Sequence, residues 1–170
     1  MESFSSASQL RAAVGRELGP SQWLGITQDR VQQFADATGD HQWIHVDVER
    51  ASTSPFASTI AHGYLSLSIL PMLVRQYYQL EGATMVINYG VNRLRFIAPV
   101  PVGSRVRSRS TIIAAGEVNA SVQVILRSTL DIEGGLQPAC VADALTRVHF
   151  PIARHPKARP SGGRPPWRDF

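Results

Sequence analysis

A single cysteine stands among the 170 residues. Cys140 therefore has no partner for an internal disulfide, and no Cys cluster exists to hold zinc. Charge is also scarce: 18% of the residues are Asp, Glu, Lys or Arg, against roughly 25% in ordinary globular chains. With 44% hydrophobic residues, the sequence has the material for a core and falls outside the disordered class. Long apolar runs are missing. The best candidate, residues 60–74, is interrupted by His62, Ser66, Ser68 and Pro71 and is shorter than the ~20 residues of a membrane span. The N-terminus lacks a basic segment followed by an apolar one, so no secretory leader is expected and a soluble, cytoplasmic protein is. No fixed-period repeat appears. Nor is there a G-x-S-x-G elbow, a Walker A loop or a G-x-G-x-x-G fingerprint, which demotes serine hydrolysis, phosphoryl transfer and nicotinamide chemistry.

What charge there is sits unevenly. Of the 17 basic and 13 acidic residues, five basic and one acidic lie in residues 151–170, leaving 12 of each in residues 1–150. The whole excess of +4 is in that last stretch, together with five of the eleven prolines. The expected organisation is one domain over residues 1–150 and a basic, Pro-rich flexible extension over 151–170. An electrically neutral body argues against a nucleic-acid partner.

Periodicity predicts a short amphipathic helix over residues 6–18, with Leu10, Ala13, Val14 and Leu18 inward, stopped by Gly19-Pro20. A second helix starts at the N-cap Thr27, carries Asp29 in its first turn and turns Val31, Phe34 and Ala35 inward. Gly39 ends it. A further short helix, VERAS, is capped by Asp47. Residues 60–80 read as one helix, apolar nearly all round and kinked at Pro71, which cannot bond the carbonyl of Leu67. From Thr84 the period becomes two, giving strands at 84–89, 91–97, 104–115, 118–133 and 137–150. Turns are expected at 100–103 and at Gly134-Gly135. Consecutive long strands make a largely antiparallel sheet, so the class is α+β, with the sheet wrapped around one long buried helix.

Polar residues in apolar surroundings concentrate at Asp40, His41, Gln42 and His45, and again at His62-Gly63. Asp40 has the bland reading of a turn cap, and His45 that of a hydrogen-bonded core imidazole. Asp40 and His45 also form an acid–base pair if they share a water. His41 and His45, at i and i+4, make half a zinc site, but Gln42 stands where a zinc protease motif has Glu and further ligands are missing; no metal is expected. A Gly such as Gly63 is often a packing choice at a helix start. It also lets a ligand oxygen approach free N–H groups, as an oxyanion hole requires. Cys140, mid-strand, is core filler.

The stretch FADATGDHQWIHVDVERA, followed by IAHGYLSLSIL, resembles the signature of the MaoC-like (R)-specific enoyl-CoA hydratases, the hydratase 2 family. Thr38-Gly39-Asp40, Ile44-His45 and Ala61-His62-Gly63 match its pattern; VNRLRFIAPVPVGSRV is similar to its strand–turn–strand segment. Gln42 and Trp43 replace the usual Asn-Pro. The resemblance implies a hot-dog fold, edge-to-edge homodimers and an acyl-CoA substrate. The implied lyase reaction adds water to a trans-2-enoyl-CoA to give the (R)-3-hydroxyacyl-CoA, a step of fatty acid metabolism. It implies Asp40 as base, His45 orienting the water, and the Gly63 N–H on the thioester oxygen, with His62 and Gln42 beside the substrate. It implies no metal or redox cofactor, coenzyme A entering as part of the substrate. A hot-dog acyl-CoA thioesterase and a non-catalytic acyl-thioester binding module remain alternatives.

Overall fold

Four long strands carry the architecture of the computed structural model, which describes residues 1–151. Before them, β1 (Glu2–Phe4) leads into α1 (Ala7–Ala12), whose N-cap Ser6 accepts the N–H of Gln9. This helix is shorter than the expected 6–18. The chain turns at Gly15, whose N–H donates to the Ile112 carbonyl at 2.7 Å. It then runs as β2 (Glu17–Leu18) and, further on, β3 (Leu24–Gly25), both paired with the sixth strand. Leu10, Ala13 and Leu18 are buried as expected, while Val14 is exposed because the helix has already ended.

The second helix follows its sequence signals closely. α2 (Gln28–Thr38) has Thr27 as N-cap, Asp29 in its first turn and Val31 and Ala35 buried. Gly39 closes it at φ 78°, a conformation that costs a side-chain-bearing residue steric strain. Two short helices, α3 (Trp43–Val46) and α4 (Val48–Ser52), follow, with Asp47 capping the second.

The expected single helix over 60–80 is instead two segments, α5 (Gly63–Ser68) and α6 (Leu70–Val74). Pro71 has no N–H for the Leu67 carbonyl, so the continuous ladder is broken near Ile69. Residues 60–62 are held in extended form, with Ala61 N–H on the Val100 carbonyl at 2.8 Å. Beyond Val74 the chain returns as β4 (Tyr78–Leu80), parallel to β1. Nor is the helical pair buried all round. Leu65, Ile69, Leu70 and Leu73 are buried, but Tyr64 and Met72 face outward.

β5 (Met85–Phe96), β6 (Arg105–Val118), β7 (Ser121–Ile132) and β8 (Cys140–His149) form an antiparallel sheet in the order β2-β6-β7-β8-β5. The two strands expected at 84–89 and 91–97 are one, because register shifts on both sides of Gly90 bend β5 without ending it. Alternating residues of β6, β7 and β8 pack under α5 and α6: Val106, Leu130, Cys140 and Ala142 meet Leu65, Ile69 and Leu73. Full burial of each Leu or Val contributes roughly 1.5–3 kcal/mol. The sheet thus curls about the helical pair, and β5 lies at its edge with residues of both faces exposed. The proposed extension beyond Pro151 lies outside the described residues.

Candidate active site

The stop at Gly39 delivers Asp40 to the surface, at the foot of α2 and beside α3. His41 turns outward and bonds Asp36 at 2.9 Å. That contact holds the Asp36 carboxyl below its ordinary range and the His41 imidazole above its own. Gln42 is exposed as the N-cap of α3, its carbonyl accepting the His45 N–H at 2.9 Å. Three residues of α3 are enough to swing His45 the other way, into the interior at 6% exposure. The two histidines of the i, i+4 pair therefore separate, one to solvent and one to the core.

His45 is tightly specified. Its Nδ1 lies 2.7 Å from the Ile60 carbonyl. A carbonyl only accepts, so Nδ1 carries the proton and Nε2 keeps a lone pair. Gln28 donates to the His45 carbonyl at 2.8 Å and itself accepts the Thr59 hydroxyl at 2.5 Å. Burial, first of all, holds the imidazole below its ordinary value; the Ile60 bond opposes this, His62 adds to it and Asp40 opposes it.

His62, only 2% exposed, comes from the other cluster. Its Nε2 lies 2.9 Å from the main-chain carbonyl of Asp40. Its ring stacks on His45 with 3.7 Å between centroids and 26° between planes, and Phe34 covers it at 5.0 Å. One donor atom each of Asp40, His45 and His62 falls within 4.8 Å of the others. A tetrahedral zinc needs imidazole lone pairs converging on one point at 2.0–2.1 Å, whereas stacked rings aim theirs side by side. The cluster suits a small polar molecule better.

Gly63 is the first residue of α5, so its N–H has no acceptor within the helix. A Cβ at this position would lie 2.8 Å from the ring of Phe96 on β5. Phe96 in turn meets Tyr64 edge-on at 5.6 Å. Only glycine leaves this approach open without moving the ring. A separate cavity of about 390 Å³ lies at the far end of the helical pair, between Pro71, Val74 and Tyr78 on one side and Val86, Ala144 and Thr146 on the other. Cys140 is fully buried, and burial pushes its thiol up to about 11, far from a reactive thiolate.

All five sequence-predicted residues thus gather around the junction of α2, α3 and α5. Asp40 and Gln42 face solvent, while His45 and His62 stand behind them and Gly63 opens beside Phe96. Sequence reasoning passed over Gln28, Thr59, Ile60 and Phe96. Gln28 looks like a surface position of α2, and Ile60 acts through its carbonyl, so neither carries a side-chain signal. Phe96 is legible only as an apolar residue at a strand end.

The MaoC like domain matches residues 9–132. The chain belongs to this family of dehydratases and hydratases. The 3-hydroxyacyl-thioester dehydratase Z of Mycobacterium tuberculosis is 51% identical over 148 residues, covering 86% of this chain and 98% of that protein. Nodulation protein N of Rhizobium leguminosarum is 41% identical over 160 residues, covering 92% of this chain and 97% of its own. The solved (R)-hydratase of A. caviae superimposes with a TM-score of 0.63 at 25% identity, over 81% of this chain and 96% of that one. The MaoC-like chain accordingly has the hot-dog fold and is an enzyme of the dehydratase/hydratase type. Among its described residues no helix is long and apolar enough to cross a membrane.

Proposed function

We propose that this MaoC-like protein adds water to a trans-2-enoyl-CoA, giving the (R)-3-hydroxyacyl-CoA, and catalyses the reverse dehydration. The observation that carries the reading is the meeting of Asp40 and a neutral, tautomer-fixed His45 beside the open N–H of Gly63. Conjugation with the thioester carbonyl makes C3 electrophilic. Water held between the Asp40 carboxylate and Nε2 of His45 attacks C3, its proton passing to Asp40. Electron density moves through C2 to the thioester oxygen, which the Gly63 N–H stabilises as an enolate. A proton returned from the same acid–base pair completes C2. An oxyanion donor of this kind typically contributes about 3–4 kcal/mol, and general acid–base work a further 10²–10⁴-fold.

Gln42, exposed next to Asp40, is assigned to the substrate side of the loop. The scheme calls for no metal and no redox cofactor, since base, acid and oxyanion donor are all protein groups. Coenzyme A enters with the substrate.

The proposal includes a homodimer formed through β5. This edge strand exposes Met85, Val86, Ile87, Tyr89, Val91 and Phe96, and a long apolar edge of that kind is a ready template for another strand. The test of function is hydration of crotonyl-CoA, followed by loss of the enoyl thioester absorbance together with an assay for free thiol. Loss of conjugation without thiol supports the proposal, and thiol release shows a thioesterase. Neither change shows a binding protein.

A further inference from the structure

We propose that His62 is a positioning residue, locking the loop that bears the acid–base pair to the helix start that bears the oxyanion donor. The inference rests on the hydratase reading of the same site. Four consecutive residues, 60–63, touch every part of that machinery. The Ile60 carbonyl takes the Nδ1–H of His45 at 2.7 Å, His62 reaches the Asp40 carbonyl at 2.9 Å, and Gly63 supplies the free N–H. The stretch is itself pinned: Ile60 N–H donates to Ile44 at 2.9 Å, and Ala61 N–H to Val100 at 2.8 Å. His62 caps α5 with its own carbonyl, which accepts the Ser66 N–H at 3.1 Å.

The chemistry of the ring argues for purpose over packing. Nε2 must carry the proton, because its partner is a carbonyl oxygen. In the neutral ring Nδ1 is then an acceptor, and it is buried without a hydrogen-bond partner among the described residues. An unsatisfied buried acceptor is a cost that a phenyl ring of similar shape would avoid. What the imidazole adds over such a ring is the single N–H held on Asp40. Phe34 and His45 both pack against the ring, at 5.0 Å and 3.7 Å between centroids. Asp40, 22 residues earlier in the chain, is exposed on its loop, and its main-chain carbonyl is what His62 reaches across to hold. Since reacting groups misplaced by about 1 Å cost on the order of 10²-fold in rate, this one contact sets the distance between base and oxyanion donor.

The test uses His62→Phe and His62→Gln in the full chain. The phenyl ring keeps the stack and loses the donor; the glutamine amide nitrogen reaches the place of Nε2. With crotonyl-CoA, His62→Phe is expected to lower kcat about 10²-fold with KM changed less than about threefold, and His62→Gln to recover at least about tenfold. Amide exchange over residues 40–45 is expected to quicken at least about tenfold in His62→Phe and much less in His62→Gln. Exchange tests the contact whether or not wild-type protein hydrates crotonyl-CoA. An inactive wild type therefore defeats the hydratase reading, while the exchange rates still decide the role of His62. Unchanged loop exchange in His62→Phe would overturn the inference. So would a kcat within about threefold of wild type, or a loss that His62→Gln fails to rescue.

Discussion

The Nδ1–H of His45 donates to the main-chain carbonyl of Ile60, 15 residues further along the chain, at 2.7 Å. That bond decides which nitrogen of the ring is free for chemistry. In the proposed reaction it leaves Nε2 as the acceptor for water, with the Asp40 carboxylate as the second acceptor. Either residue alone leaves the water half held. Asp40→Asn and His45→Gln are each expected to lower kcat for enoyl-CoA hydration at least about 10²-fold, the low end for general acid–base catalysis. Folded variants with near wild-type turnover would remove both from the mechanism.

The same burial that fixes the ring sets a pH signature. His45 in the folded protein is held below its ordinary value of 6.5, so its neutral form persists into mildly acidic solution. Turnover should therefore survive as pH drops through 6.5 and fail only at lower pH. Stability moves in the opposite sense over that window. The unfolded chain takes up a proton at about 6.5 and the folded chain does not, so the folded state loses ground as pH falls below that value. Thermal midpoints measured against pH should decline more steeply below pH 6.5 for wild type than for His45→Gln. Parallel curves would mean that His45 titrates normally.

Gly63 offers a third comparison. Gly63→Ala already forces the Phe96 ring to move, since a Cβ would lie 2.8 Å from it, and Gly63→Val must move it further. The Ala variant should be impaired and the Val variant more so. Gly63→Pro carries the same Cβ as Gly63→Ala but also deletes the N–H, at a position where proline suits the helix start, and is expected to lower kcat about 10²–10³-fold below that of Gly63→Ala, the usual loss for one oxyanion donor. A folded Pro variant no slower than Gly63→Ala would reduce Gly63 to a packing residue.

The edge strand gives a fourth. Charging both faces of β5 with Val86→Lys and Ile87→Lys should convert a two-chain species to one chain, as read by sedimentation or light scattering. A wild-type protein that already sediments as a single chain would remove β5 as a dimer edge.

Local chemistry was the legible part of this fold. Thr27 and Gly39 bound α2 because a cap and a left-handed stop act on their immediate neighbours, and that stop delivers Asp40 to its place. The long strands were readable from alternation, since one face of each is buried. The helix expected over 60–80 is cut short at both ends. Residues 60–62 are extended because Val100 and Ile44 claim their backbone groups, and Tyr78 pairs with Glu2. No window of local sequence contains those partners. The same limit applies to the site: spacing put Asp40 and His45 together, but the Asp40–His62 contact joins residues 22 apart. His41 and His45 have the same spacing whether they converge or diverge; the short helix α3 parts them.

The most direct test of the account is hydration of crotonyl-CoA by purified protein, followed by loss of the enoyl thioester absorbance with the configuration of the product determined. Conjugation is expected to be lost while coenzyme A stays esterified, and the product is expected to be (R)-3-hydroxybutyryl-CoA. Release of free coenzyme A, or formation of the (S)-alcohol, would contradict it.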